Sequence, residues 1–366
     1  VARRALDESD IRVRPTRRGS RPRTKTRPEH ADADRALVTG VDRGRYTVLV
    51  DPDGSDERVA IAMKARELGR ERVVPGDLVD LVGDTSGSTG SLSRIVRITD
   101  RSTVLRRTAD DTDPVERVIV ANAEQLVVVT ALADPEPRTR MIDRCVVAAY
   151  DAGMQVLLAL TKADLADPAE LREMYEPIGV RVVVTRWAAD GAASGGAPEG
   201  IDGLETLRDA LAGRTSVLVG HSGVGKSTLV NALVPDAYRA TGVVNDVTGR
   251  GRHTSTSAVA LRVPGPPGTW VIDTPGVRSF GLAHVDPNHL LGAFADLAEV
   301  AEECPRGCTH ASDAPDCALD DWVGAAPDDV TREARSARLD SFRRLLVSRT
   351  GAADPVAEAS EAERRR

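Results

Sequence analysis

The sequence predicts a multidomain chain: an N-terminal β-barrel of the oligonucleotide-binding (OB) type, a central α/β domain of the P-loop class, and a C-terminal helical domain built around a metal-binding cluster. Three observations carry that reading. Short strand-like runs separated by Gly and Pro turns fill residues 36 to about 105. From about residue 115 strands alternate with helices, and one strand leads directly into Gly220-His221-Ser222-Gly223-Val224-Gly225-Lys226-Ser227. Cys304, Cys308, His310 and Cys317 then crowd into fourteen residues. A chain of 366 residues has room for two or three such domains. The expected division is a disordered basic arm over 1–35, the barrel over 36–108, the α/β domain over 112–284, the helical domain over 285–348 and a tail over 349–366.

The net charge of -7 conceals a strong asymmetry. Between Arg12 and Arg27 stand eight basic residues and no acidic one, interleaved with Pro, Gly, Ser and Thr. Such a segment cannot bury a core and is expected to be disordered. It reads either as a solvated tail or as an arm that neutralises RNA phosphates. No stretch of eighteen apolar residues occurs, so no membrane span is expected. No apolar core follows the basic N-terminus, so no secretory signal is expected either, and the chain is read as cytoplasmic.

In the barrel region, Tyr46 to Val50 precedes an Asp-Pro-Asp-Gly turn, and Val59 to Met63, Leu78 to Val82 and Ile95 to Ile98 follow. Short strands with Gly/Pro turns and no helical period point to a small barrel. A five-stranded OB barrel fits the length, and on composition an SH3-like barrel fits nearly as well. Beyond it, the runs Gln125–Val129, Val156–Leu160, Arg181–Val184, Ser216–Val219 and Trp270–Ile272 are short and nearly all apolar. That is the pattern of strands buried on both faces of a mostly parallel sheet. The Gly/Ala/Ser/Pro stretch from Ala188 to Gly200 reads as a surface loop.

The phosphate loop satisfies every fixed position of G-x-x-x-x-G-K-[ST], between a strand and a helix that carries Leu229, Val230, Leu233 and Val234 on one face. Its glycines let backbone N–H groups wrap a phosphate, and the helix N-terminus adds a favourable dipole. Lys226 is expected to reach the β- and γ-phosphates and Ser227 to offer its hydroxyl to Mg²⁺, with Thr228 following in the same turn. Asp273-Thr274-Pro275-Gly276 ends a strand about fifty residues later. Asp273 is placed to meet Mg²⁺ directly or through water, and the Gly276 N–H to sense the γ-phosphate. Thr161-Lys162-Ala163-Asp164-Leu165 ends the Val156–Leu160 strand. An in-plane carboxylate at Asp164 accepts from both N1–H and the 2-amino group of guanine, which adenine cannot match. The stem of Lys162 can lie over the ring. Thr161 stands where such motifs usually begin with Asn, and its hydroxyl offers fewer hydrogen bonds than an amide.

Between the phosphate loop and Asp273 lies Gly251-Arg252-His253-Thr254, a hydroxyl-rich segment suited to a switch that offers Thr254 to Mg²⁺. Small GTPases usually carry a water-orienting Gln just after D-x-x-G. Here Val277 fills that position, so His253 is the nearest candidate to hold an attacking water. The guanine-reading motif precedes the phosphate loop instead of following it. The chain therefore reads as a circularly permuted GTPase that uses GTP/GDP and Mg²⁺.

Three thiolates and one imidazole from Cys304, Cys308, His310 and Cys317 make a complete tetrahedral set for one Zn²⁺. With no position left open, the site is structural. It is expected to pin a small helical domain that otherwise has little core. Cys145, in the apolar run Ile142 to Tyr150, reads as a buried thiol.

Motif order, domain order and the Cys/His cluster together resemble the ribosome-small-subunit-dependent GTPase family, RsgA. The resemblance extends to Asn122-Ala123-Glu124-Gln125 and to the Gly-x-His-Thr run at 251–254. It implies an OB domain, a permuted GTPase domain and a zinc domain. It also implies binding to the 30S subunit and its 16S rRNA, GTP hydrolysis stimulated there late in assembly, and His253 as the catalytic histidine. The first cysteine spacing is one residue shorter than the family's, the His-to-last-Cys spacing one longer, and Thr161 replaces Asn. A passive RNA-binding scaffold or an ATP-dependent P-loop enzyme are the competing readings. Intact Lys226, Ser227 and Asp273 argue against the first, and Asp164 against the second. Neither DNA nor a membrane is an expected partner, and a monomer is expected.

Overall fold

The computed structural model describes residues 30–107, 117–187, 200–235, 258–274, 280, 282, 285 and 287–350. Five strands, β1 (Asp34–Asp42), β2 (Arg45–Val50), β3 (Arg58–Lys64), β4 (Leu78–Gly83) and β5 (Ser93–Ile98), close on themselves. β1 pairs with both β2 and β4, β2 pairs with β3, and β4 with β5, all antiparallel; β3 alone runs parallel to β5. This closed circuit with one parallel pair is the OB topology, and it decides against the SH3-like alternative. Alternate residues fill the interior, among them Ala36, Val38, Val48, Ala60, Val79, Leu81 and Ile95. β1 escapes a reading of apolar runs. It presents inward only the small Ala36, Val38 and Gly40, separated by Leu37 and Thr39, and its ladder to β2 shifts register between Val38 and Gly40.

A two-stranded ribbon follows, β6 (Val104–Arg107) against β7 (Arg117–Ala121), which the sequence pattern does not single out. Beside it the fully buried carboxylate of Asp77 accepts from the Val74 N–H at 2.8 Å and from Arg101 Nε and its neighbouring guanidinium nitrogen at 2.7 and 2.8 Å. Removing one of these donors would leave an uncompensated buried charge, which is strongly destabilising.

The central domain comprises β8 (Gln125–Ala131), α1 (Thr139–Asp151), β9 (Gln155–Thr161), α2 (Ala169–Tyr175), β10 (Arg181–Val184), a short ribbon of β11 (Arg186–Trp187) and β12 (Ile201–Asp202), α3 (Leu204–Leu211), β13 (Thr215–Gly220), α4 (Lys226–Leu233), β14 (Val259–Arg262) and β15 (Trp270–Asp273). The sheet order is β10-β9-β8-β13-β15-β14. The first five strands are parallel, and β14 is an antiparallel edge. Both faces are buried. Val127, Val129, Leu157, Leu218 and Val271 pack on the side of α3 and α4, while Leu126, Val128, Leu158, Val217 and Ile272 pack on the side of α1. Continuous apolar runs are the sequence signature of that arrangement. β14 meets the barrel through the pair Gly40↔Val259 on β1.

Helices α5 (Pro287–Gly292), α6 (Ala295–Ala301), α7 (Ala318–Gly324) and α8 (Asp329–Thr350) complete the described chain. The expectation of little core here needs correction. Phe294, Leu297, Leu319, Leu339, Phe342 and Leu345 belong to one buried cluster with Ile142, Cys145 and Val146 of α1. Phe294 stacks edge-on with both Tyr150 (5.7 Å) and Phe342 (5.4 Å). A charged link runs through the same interface, where buried Asp143 pairs with Arg344 at 3.2 Å and accepts from the Tyr175 hydroxyl at 2.9 Å. Among the described residues, no helix is long and apolar enough to cross a membrane.

Candidate nucleotide site and metal centre

In a parallel sheet, loops at the C-terminal strand ends face one crevice, where ligands bind. β13 ends at Gly220, β15 at Asp273, β9 at Thr161 and β10 at Val184. The order of these motifs along the chain is therefore irrelevant to where they meet. Gly220 sits opposite Val129, and a Cβ there would stand 2.6 Å from the Val129 carbonyl oxygen, so the strand exit tolerates only glycine. Gly223 and Gly225 turn the loop with φ of 84° and 90°, left-handed values that suit glycine. Gly225 then caps α4, and Leu229, Val230 and Leu233 bury that helix against the sheet.

Lys226 Nζ pairs with the Asp273 carboxylate, so the cation of the phosphate loop and the acid of the second motif share one spot at the edge of the sheet. The Thr274 hydroxyl donates to the Leu218 carbonyl at 2.7 Å, locking the end of β15 to β13. Ser227 is exposed on the first turn of α4, Thr228 is half-buried, and His221 Nδ1 lies 3.1 Å from its neighbour's carbonyl at Ser222. Ser227 and Asp273 supply hard oxygen donors at adjacent strand and helix ends, a donor set that fits Mg²⁺.

At the end of β9, the buried Thr161 hydroxyl donates to the Val224 carbonyl at 2.7 Å and lies 3.3 Å from the Thr130 carbonyl. Thr161 thus fastens the turn after β9 to the phosphate loop. Lys162 Nζ donates to the Asp134 carbonyl. Asp164 is exposed, and its Oδ1 lies 3.4 Å from the Trp187 N–H. Thr185 closes this corner: its N–H donates to the Leu160 carbonyl at 2.7 Å, and its carbonyl accepts from Ala163 at 3.2 Å. Asp134, Thr185 and Trp187 were not read from the sequence. The last two could have been sought as the residues just past the next parallel strand. His253, Thr254, Gly276 and Val277, the basic arm and most of the loop after Trp187 lie outside the described residues.

The four ligand atoms of Cys304, Cys308, His310 and Cys317 all lie within 4.8 Å of one another. His310 Nδ1 is 3.6 Å from the Cys304 sulfur and 3.8 Å from the Cys317 sulfur. Ligands at about 2.3 Å from a tetrahedral zinc stand roughly 3.8 Å apart, so the donor set fits that ion. Despite the shortened first spacing, a turn closed by Cys308 N–H to the Pro305 carbonyl at 3.0 Å, with Gly307 at φ 81°, makes the knuckle. Burial, reinforced by the Cys308 and Cys304 thiols, pushes the Cys317 thiol up to about 11. Burial and then the Arg343 charge lower His310, which favours the neutral imidazole. Arg343 also braces the turn, donating to the His310 carbonyl at 3.0 Å and pairing with Asp320 at 2.7 Å. Cys145 is different: burial alone is the main cause that raises it to about 12, and it is an inert core thiol.

A sequence profile of the RsgA GTPase family matches residues 98–283. Among curated relatives named small ribosomal subunit biogenesis GTPase RsgA, that of Alcanivorax borkumensis is 38% identical over 256 residues, covering 68% of this chain and 67% of its own. That of Pseudomonas aeruginosa is 38% identical over 237 residues, and the match spans a little under two thirds of each protein, 63% and 64%. RsgA 1 of Vibrio vulnificus is 31% identical over 347 residues and 92% of both chains. Two crystal structures share the fold: YjeQ from Thermotoga maritima, at TM-score 0.60 and 24% identity over 87% of this chain and 99% of that one, and YloQ, a circularly permuted GTPase, at TM-score 0.60 and 21% identity over 89% and 98%. With its permuted P-loop sheet, OB barrel and cysteine–histidine cluster, this chain belongs to the RsgA family of GTPases.

Proposed function

We propose that this protein binds the small ribosomal subunit late in its assembly and hydrolyses GTP there, with the subunit stimulating the reaction. The observation that carries the reading is the meeting of three motifs at one sheet edge, through the Lys226–Asp273 pair and the Thr161–Val224 hydrogen bond. The names of its relatives supply the subunit as partner.

In this reading the backbone N–H groups of 220–225 and the ammonium of Lys226 hold the β- and γ-phosphates, an electrostatic cradle that favours charge spreading over the transferred group. Ser227, Asp273 and Thr254 would hold Mg²⁺, which would supply positive charge to the β- and γ-phosphates. Asp164 accepts the two N–H groups of the guanine edge while Lys162 and Leu165 flank it. His253 orients the attacking water, and the Gly276 N–H senses the γ-phosphate. Cys304, Cys308, His310 and Cys317 would hold Zn²⁺, which would brace the turn between α6 and α7. The barrel, the nucleotide domain and the zinc-braced helices act as the divisions 36–108, 112–284 and 285–348. The arm of 12–27 adds phosphate contacts to 16S rRNA. The protein works as a cytoplasmic monomer.

A mechanical link is available. Past Asp273 in sequence, Phe280 is buried and its carbonyl accepts from Arg144 of α1 at 2.8 Å, and α5 begins at Pro287. Because the chain passes from the Asp273 motif directly to these helices, a switch movement is proposed to tilt them, so that subunit affinity depends on the nucleotide.

The test is GTP turnover at fixed magnesium and salt with and without purified 30S subunits. Strong stimulation by 30S but not 50S, abolished by His253→Ala, is expected. Slow turnover indifferent to 30S would sink the proposal.

A further inference from the structure

We infer that the Trp187 indole stacks on the purine base and forms a face-on wall of the nucleotide pocket; this deepens the guanine-nucleotide reading above and rests on it. Trp187 is 46% exposed and is the only exposed aromatic residue among those described. The other two tryptophans have partners: Arg262 lies over Trp270 at 4.9 Å and Arg335 over Trp322 at 4.6 Å. Among the described residues no ring or guanidinium covers Trp187.

Its position is fixed by backbone bonds. Thr185 N–H to the Leu160 carbonyl (2.7 Å) and Ala163 N–H to the Thr185 carbonyl (3.2 Å) zip residues 185–187 against the base-reading turn. The Trp187 N–H then lies 3.4 Å from Asp164 Oδ1. On the other side of Asp164 in sequence, Leu165 is 57% exposed. Six large apolar side chains are exposed among the described residues, and two of them flank this one carboxylate. An exposed indole beside an acid that reads a ring edge has an evident chemistry. Asp164 supplies in-plane hydrogen bonds, and a planar aromatic supplies the face that a flat heterocycle needs. Stacking is tolerant of base identity. Trp187 therefore contributes affinity, and selectivity stays with Asp164.

The experiment titrates GDP into the full-length chain, following indole fluorescence and, separately, heat of binding. GDP is expected to change the fluorescence of the wild-type protein. Trp187→Phe is expected to lose that change while Kd stays within about threefold, because a phenyl ring still stacks. Trp187→Ala is expected to raise Kd for GDP and GTP alike, about five- to hundredfold, with the preference over ATP retained. Wild-type Kd in Trp187→Ala, or the full fluorescence change in Trp187→Phe, overturns the inference while leaving the nucleotide site intact. A wild-type chain that binds no GDP overturns both.

Discussion

The nucleotide site draws its polar atoms from four strand ends spread over residues 161–274, whereas the metal centre takes every ligand atom from Cys304 to Cys317. The first is held by the sheet. Register pairs such as Gly220↔Val129 and Leu218↔Asp273 position its groups before any ligand binds. The second is a local turn whose thiols crowd together against their own burial, and Cys317 is pushed up to about 11 as a result. A site positioned by a sheet tolerates the loss of a functional side chain, since the core beneath is indifferent to it. A site that is itself the brace does not. The difference predicts that substitutions in the two places separate activity from stability.

The largest effect is expected at the cluster. Cys317 is 3% exposed and sits in the same apolar cluster as Phe294 and Phe342. Cys317→Ser puts a hydroxyl into that environment and removes one of four ligands. Structural zinc contributes on the order of 10 kcal/mol to the folding of small zinc domains. The shared core with α1 leaves these helices partly supported, so the expected loss is smaller than that but still several-fold larger than any surface change. Metal content is expected to fall from one equivalent to near zero, and amide exchange to rise across 295–324, with GDP affinity retained. If the variant keeps its metal, or loses GDP binding in parallel, the two sites are not independent in the way the fold implies.

The two sites were legible to different depths for the same reason. Every cluster ligand could be named from the sequence because four soft donors in fourteen residues need no topology to bring them together. The phosphate loop and Asp273 were legible because a fixed glycine and lysine spacing encodes a backbone shape. Thr185 and Trp187 were not, since their place beside Asp164 comes from β10 lying next to β9, and pairing of that kind leaves no mark in either strand. The barrel shows the same limit. Four of its strands stand out as apolar runs, but β1 buries only small residues and the closing β3–β5 pair is a long-range contact. The core shared by α8 and α1 was missed likewise, because the apolar positions of α8 are interleaved with arginines that fold back over Phe294 and Tyr175.

A smaller effect sharpens the sheet-held half of the comparison. The Thr161 hydroxyl links the turn after β9 to the phosphate loop, at 2.7 Å from the Val224 carbonyl. Thr161→Val keeps the shape and β-branching but strands that buried acceptor, which costs about 1–3 kcal/mol. Part of the cost falls on the bound state, so GDP Kd is expected to rise several-fold to about tenfold, with Thr161→Ser close to wild type. Unchanged affinity in the valine variant would mean that β9 and β13 align the two loops without help from the side chain.

The smallest effect is expected where barrel and sheet meet on the surface. Arg262, on the edge strand β14, pairs with Glu57 at 2.6 Å and Asp53 at 3.0 Å of the barrel while lying over Trp270. Burial works to raise the Glu57 carboxyl, but its hydrogen bonds to Arg262 and to the Asp53 N–H outweigh that and hold it below the ordinary value of 4.5. A carboxyl lowered in the folded state stabilises fully above its unfolded pKa, and the contribution fades as pH falls through the lower folded value. These side chains are partly exposed, so solvent screening keeps the contribution to about 1 kcal/mol or less. Arg262→Ala is therefore expected to shift the melting temperature by only a few degrees at pH 7. That shift should shrink below about pH 4 and in molar salt, where surface pairs are screened. A residual loss insensitive to both would assign the contact to the stacking of Arg262 on Trp270. Because Arg262 of β14 and Trp270 of β15 face each other within one sheet, that part of the loss would be internal to the nucleotide domain, and only the part sensitive to salt and pH would measure how charge ties the barrel to it.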